Sequence, residues 1–95
     1  MAVLIKPDGN SKVIFPRDPR GGFTIKELYE LIGCEIVQCV PLSNGADMWC
    51  DEEAKLKDKL PEINYAATEM LSKAGGIPGD YVLGNVLICE PGEVH

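Results

Sequence analysis

The sequence predicts an α+β fold with a single small mixed sheet of about five strands and two helices, in the order ββαββαβ. A chain of 95 residues has room for one hydrophobic core, because a domain of this size buries only about two-thirds of the surface of its unfolded chain. Five short segments have the composition of strands, and two others carry apolar residues at helical spacing. We therefore expect one domain that spans residues 1–95.

Five segments are predicted as strands because they are short and rich in β-branched and other apolar residues. The first two flank an Asp-Gly pair, which is typical of a tight hairpin. The last is apolar at successive positions, as expected for a central strand that is covered on both faces. The predicted strands are residues 2–6, 11–15, 34–41, 47–51 and 81–89.

The two helices are predicted from their boundaries as well as from their apolar spacing. Thr24 and Glu27 form a capping box at the start of the first helix, and Gly33 supplies the left-handed residue that ends it. Apolar residues at helical spacing predict the second helix over 61–74 or 64–74.

The charge balance excludes several classes of protein. Nine Lys and Arg stand against fifteen Asp and Glu, a net charge of −6, which argues against direct nucleic-acid binding because such binding draws on clustered cations. A run of about eighteen apolar residues, which a membrane span needs, is absent. The first residues also lack the basic and apolar stretches of a signal peptide. We therefore expect a cytoplasmic protein with no membrane partner.

The cysteines and the single histidine give no support for a metal site or for catalysis. No Cys-x-x-Cys pair occurs, and His95 is the last residue. We expect reduced, buried cysteines that act as small apolar residues, with no cofactor and no enzymatic activity. The four cysteines are Cys34, Cys39, Cys50 and Cys89.

The loop before the first helix contains a candidate phosphate site. Two guanidinium groups, two glycines that allow close backbone approach, and the positive end of a helix together make a cradle for an anion. The alternative is a solvated turn whose arginines pair with Asp18 or Glu27. The candidate ligand-binding residues are Arg17, Arg20, Gly21 and Gly22.

The start of the second helix supplies candidates for the base or ribose side of the same ligand. Asn64 and Thr68 lie one helical turn apart, and Tyr65 offers a ring for stacking. The alternative is structural: Asn64 caps the helix, Thr68 bonds locally, and Tyr65 is a core or interface residue.

The acidic residues are concentrated in the second half of the chain. Residues 1–48 carry five positive and six negative side chains, a net of −1, whereas residues 49–95 carry four and nine, a net of −5. The run from Asp51 to Lys59 is predicted as a charged hairpin tip. An acidic half could also imitate nucleic acid and block a DNA-binding protein.

Three motif pieces resemble an uncharacterised family, a domain of unknown function found in small phage- and plasmid-borne proteins. The pieces are Asp-Glu-x-x-Lys-Leu at 51–56, Asn-x-x-Ala-Thr at 64–68 and Gly-Asn-Val-Leu at 84–87. The resemblance brings no established activity. It implies an accessory protein that helps an invading genome in the host-cell cytosol, a class in which some members bind host nucleotide signals or defence proteins.

Two functions from different classes are expected on these grounds. The first is a non-catalytic protein that sequesters a nucleotide-derived small molecule and so counteracts host defence signalling, with the pocket shared between subunits of a homo-oligomer. The second is an acidic protein-interaction module that inhibits a host protein. A structural accessory with no small ligand is a third possibility.

Overall fold

The computed structural model has the predicted element order, with one 3₁₀ turn added between the fourth strand and the second helix. The α+β class is confirmed. The structure describes residues 1–57, 59–76 and 79–94. Asp58 of the charged run, Ile77, Pro78 and His95 lie outside the described residues. The elements are β1 (Ala2–Ile5), β2 (Ser11–Ile14), α1 (Ile25–Ile32), β3 (Val37–Pro41), β4 (Asp47–Asp51), the 3₁₀ turn (Ala54–Leu56), α2 (Tyr65–Lys73) and β5 (Val86–Cys89).

The five strands form one sheet in the order β2-β1-β5-β4-β3. The sequence predicts a mixed sheet, but all four pairings between these strands are antiparallel. Two hairpins supply the outer pairs, and β5 enters between them, with Leu87 opposite both Leu4 and Trp49. A parallel pairing occurs outside the strands, at the isolated bridge between Phe23 and Val94.

The two helices cover opposite faces of the sheet. Side chains alternate along a strand, so neighbours such as Val86 and Leu87 enter different cores. The α1 core contains Ala2, Leu4, Phe23, Leu28, Ile32, Leu87 and Cys89. The α2 core contains Ile5, Met48, Cys50, Ala67, Val82 and Val86.

The helix boundaries follow local capping chemistry. The predicted capping box of Thr24 and Glu27 is present, and Gly33 closes α1 with a φ of 79°. The second helix begins after Asn64, whose side chain accepts the Ala67 N–H. Of the two predicted starting points for α2, the later one is therefore correct.

The last strand is shorter than predicted. The sequence predicts a strand over 81–89, but β5 begins at Val86 because the preceding residues bond elsewhere. Leu83 forms a bridge with Ile63, and the Gly84 N–H donates to Glu62 O at 2.8 Å. Gly84 adopts a φ of 78°, which redirects the chain into the sheet.

The cysteines are only partly buried. All four carry free thiols. Cys50 and Cys89 are buried as predicted, and burial raises the pKa of the Cys50 thiol to about 11 and that of Cys89 to about 12. The prediction is wrong for Cys39, which is exposed because β3 is an edge strand. In the described part of the chain no helix has the length and apolar character needed to cross a membrane.

Candidate functional site

A groove lies where β4 ends and β5 begins, beside the end of α1. It consists of two adjoining cavities with volumes of about 360 and 660 Å³, which share Gly33, Asp51 and Lys57 as lining residues. The first cavity extends toward the β1–β2 turn and the second toward the 3₁₀ turn. We call the two together the acidic groove.

Carboxylates dominate the lining of the acidic groove. Against them stand the two lysines Lys6 and Lys57 in the lining and Arg17, which pairs with Glu30 from outside it, so an excess of three negative charges remains. The surface therefore favours a cationic partner, since walls of one sign concentrate the local field. The carboxylates are Asp8, Glu30, Glu35, Asp51, Glu53 and Glu62.

Asp51 lies at the junction of the two cavities and already holds one cation. Its Oδ2 lies 2.6 Å from Lys57 Nζ, and its Oδ1 accepts the Glu53 N–H at 2.9 Å. The Asp51 side chain is only 7% exposed, whereas that of Lys57 is 38% exposed. The hydrogen bond to Asp51 raises the pKa of Lys57. The Lys57 side chain is therefore an example, from the chain itself, of an ammonium group bound in the groove.

The end of α1 adds a further negative element to the groove. Helix carbonyls carry partial negative charge at the C-terminus, and α1 has no basic residue in its last turn to offset it. Gly33 N–H donates to Tyr29 O at 2.8 Å, and Asn85 Nδ2 lies 3.4 Å from Leu31 O. Ile32 and Gly33 at this end line the smaller cavity, so the helix end adds partial negative charge to the wall of the groove.

The groove also offers apolar surface. Leu56, from the 3₁₀ turn, is 79% exposed and lines the larger cavity together with Tyr29. A ligand that carries both positive charge and apolar groups would match the carboxylates of the groove and the apolar surface of Leu56 and Tyr29.

The predicted phosphate loop is engaged by the chain's own carboxylates. Glu27 Oε2 accepts the Arg17 N–H at 3.1 Å, and Glu27 Oε1 accepts the Thr24 N–H at 3.2 Å. These contacts, first among them that from the Arg17 backbone, lower the pKa of Glu27. The Arg17 guanidinium lies 2.6 Å from Glu30 Oε2. The place beside the helix start that an anion would take is therefore filled by Glu27.

Asp18 organises the remainder of this loop. Its side chain accepts the Arg20 N–H at 3.0 Å, and its carbonyl accepts the Gly22 N–H at 3.2 Å. A side chain on Gly21 would come within 2.7 Å of the Asp18 carboxylate, so this glycine serves a tight turn. Within the described residues the Arg20 guanidinium makes no ion pair.

Asn64 and Thr68 make hydrogen bonds inside the fold. Asn64 is fully buried, and its Nδ2 donates to Ile5 O and Gly84 O at 3.1 and 2.9 Å. Thr68 Oγ1 accepts the Val82 N–H at 2.9 Å. Tyr65 differs from both, since it is 73% exposed.

One chain does not bring the two halves of the predicted ligand site together. The Arg-Gly loop leads to Phe23, whose N–H donates to Glu93 O beyond the end of β5. Asn64 instead contacts Gly84, before the start of β5, and α2 packs on the opposite face of the sheet. Neither cavity of the acidic groove is lined by any of the seven predicted residues. Their role in ligand binding stays a prediction.

The sequence reasoning did not identify the groove residues Gly33, Asp51 and Lys57 as one site. The sequence indicates Gly33 as a helix end, Asp51 as the end of a strand and the start of a family motif, and Lys57 as part of a charged run. The available signal was the spacing of Asp51 and Lys57 around a short turn. What local sequence does not reveal is that the end of α1 packs beside this turn.

Comparison with known proteins identifies the family. No curated protein and no solved structure matches the chain. A match covers residues 1–94, nearly the whole chain, and includes every element that forms the sheet and the acidic groove. The chain belongs to the family described as Domain of unknown function (DUF3846).

Proposed function

We propose that this domain is a non-catalytic interaction module whose acidic groove binds a basic segment of another protein. The observation that carries the proposal is the excess of carboxylates around Asp51, beside a helix end that lacks its own basic residue. Long-range attraction between this surface and a basic partner would speed association.

The chemistry of the groove favours a protein segment over a simple inorganic cation. Among the described residues no group of three or more His, Cys, Asp and Glu side chains is placed to hold a metal ion. Leu56 and Tyr29 add apolar contact, which a segment of Arg or Lys mixed with Leu would use. Arginine suits this site because its planar fork can bond two carboxylate oxygens at once.

The resemblance to phage- and plasmid-borne proteins sets the proposed context. In that setting the partner is a host protein in the host-cell cytosol, and its basic segment is one that normally contacts nucleic acid. The domain would occupy that segment and inhibit the host protein by competition.

A peptide titration tests the proposal. The probe is a short amphipathic peptide of Arg, Lys and Leu, followed by calorimetry, with a Glu-substituted peptide as the negative probe. Glu35→Gln with Glu53→Gln should weaken binding about 2- to 30-fold, because exposed charge pairs contribute roughly 0.2–1 kcal/mol each. Glu69→Gln with Glu90→Gln changes the net charge equally and lies outside the groove, so it serves as the matched control. An equal loss of peptide affinity in both double variants would show that binding is not specific to the groove.

Sequestration of a nucleotide-derived small molecule is the second proposed function, supported by the exposure of the Arg17 ion pair. Arg17 and Glu30 side chains are 74% and 60% exposed, and such a pair contributes only about 0–1 kcal/mol, so a phosphate could displace Glu30. The pocket would be shared between subunits. The test is incubation with cyclic and ADP-ribose-type nucleotides, followed by recovery after denaturation. Intact ligand that is lost in Arg17→Ala with Arg20→Ala supports this function, and degraded ligand indicates an enzyme.

A further inference from the structure

We propose that two copies of this chain pair through β2, antiparallel and strand to strand, around a two-fold axis at Val13. The β2 strand is an edge of the sheet, so within residues 1–57, 59–76 and 79–94 its outer backbone groups have no partner strand. Val13 is 48% exposed and Phe15, directly after the strand, is 69% exposed. Unpaired N–H and carbonyl groups along an edge strand are a template on which a strand of another chain can pair.

The hydrogen bonds of the first hairpin show which groups face outward. Lys6 N–H donates to Asn10 O at 2.9 Å, and bonding direction alternates along an antiparallel strand. Lys12 and Ile14 therefore bond toward β1, whereas Ser11, Val13 and Phe15 direct their N–H and carbonyl groups outward. None of these three is a proline, so all can donate.

A two-fold axis at Val13 uses every outward group. Val13 pairs with Val13 of the second copy, and Ser11 pairs with Phe15. Because residues in such pairs exchange both bonds, each outward N–H meets an outward carbonyl. No shift of register retains all of these pairs.

The side chains in this register are compatible with self-association. Val13 lies opposite Val3 in the sheet, and Val3 packs at the border of the α2 core, so the exposed face of β2 continues an apolar surface. Lys12 meets Ile14 of the second copy rather than another lysine.

The other edge of the sheet is less suited to the same role. Glu52 N–H donates to Ile36 O, and Leu42 N–H donates to Ala46 O, so alternation places the groups of Cys39 and Pro41 outward on β3. Proline has no N–H to donate. A pair formed through β3 would lack those bonds, and β3 therefore provides a control edge.

Sedimentation velocity over a concentration series tests the proposed dimer. For the wild-type chain, sedimentation should give a mass twice that of one chain, which is 10.3 kDa. Val13→Lys and Val13→Glu should each be monomeric, because like charges would lie directly opposite. An equimolar mixture of these two variants should restore the dimer. Cys39→Lys on the control edge should leave it intact.

A cross-linking experiment avoids disruptive substitutions. Val13→Cys in a Cys39→Ser background, treated with a short bismaleimide, should give a covalent dimer, since directly opposed residues lie about 5.5 Å apart. The wild-type chain, with its exposed Cys39, should give none. The proposal is overturned if the wild-type chain is monomeric at every concentration, if the mixed variants do not associate, or if Cys39 cross-links and Val13→Cys does not.

Discussion

Asn64 makes side-chain hydrogen bonds to three separate segments of the chain from a fully buried position. It accepts the Ala67 N–H that starts α2, and it donates to a carbonyl at the end of β1 and to one before β5. A buried amide placed in this way fixes the relative positions of those segments, because an unpaired buried carbonyl costs free energy. The Asn64 side chain is thus a structural connection, and its predicted role as a ligand contact stays a prediction.

Replacement of Asn64 tests this role. Asn64→Ala should lower the free energy of unfolding by about 2–4 kcal/mol, since it removes a helix cap and two further hydrogen bonds to backbone carbonyls. Tyr65→Ala, at the exposed neighbouring position, should change it by less than about 0.5 kcal/mol. Urea unfolding monitored by Trp49 fluorescence measures both. A small loss for Asn64→Ala would show that the amide is not required by the fold.

Thr68 presents the same choice between a structural and a ligand-binding role. Thr68→Val preserves shape but removes the acceptor of the Val82 N–H, so it should cost about 1 kcal/mol. Thr68→Ser keeps the hydroxyl and should lose less. If urea unfolding gives the same stability for Thr68→Val and for the wild type, the Thr68 hydroxyl does not support the fold and would be free to bind a ligand.

At the scale of elements, α1 supplies the anion for its own N-terminus. Glu27 accepts backbone N–H groups from Thr24 and from Arg17, which ties the preceding loop to the helix start. Carboxylates are stabilising in this position because of the helix dipole. The element therefore couples the Arg-Gly loop to α1.

The lowered pKa of Glu27 gives a pH dependence with a definite sign. A depressed folded-state pKa stabilises the protein above the unfolded value, 4.5, and this stabilisation is lost as the pH falls through the folded value. At neutral pH the free energy of unfolding of the wild type should exceed that of Glu27→Gln by about 1 kcal/mol. This difference should vanish in acid, where Glu27 is protonated. Urea unfolding at several pH values measures it, with exposed Glu62→Gln as the control. A pH-independent difference would contradict the assignment.

The elements also show where sequence patterns are sufficient. The capping box of Thr24 and Glu27 and the end of α1 at Gly33 depend on residues within one turn, so the sequence predicts them correctly. The predicted length of β5 is wrong because Leu83 pairs with Ile63, about twenty positions earlier in the chain, instead of with a neighbouring strand of the sheet. The groove was missed for the same reason, since it forms only when α1, β4 and the 3₁₀ turn meet.

At the scale of the whole molecule, charge is distributed unevenly. The chain has a net charge of −6, and the lining of the acidic groove holds six carboxylates, which Lys6, Lys57 and the Glu30 partner Arg17 only partly offset. Such a concentration acts over roughly the Debye length, about 8–10 Å at physiological salt. The proposed function depends on this asymmetry rather than on any single ion pair.

Ionic strength should therefore control association with a basic peptide. The association rate constant, measured by stopped-flow fluorescence, should fall steeply as salt is raised, because screening removes the long-range attraction. The slope should be smaller for Glu35→Gln with Glu53→Gln than for Glu69→Gln with Glu90→Gln. Identical slopes in the two double variants would indicate steering by net charge alone.

Amide chemical-shift mapping of the ¹⁵N-labelled protein with the Arg, Lys and Leu peptide tests the central claim most directly. The account predicts saturable shifts at Gly33, Asp51 and Lys57, with little change at Arg20 and Gly22. Shifts confined to the loop around Arg20, or none at saturating peptide, would contradict the acidic groove as the binding site.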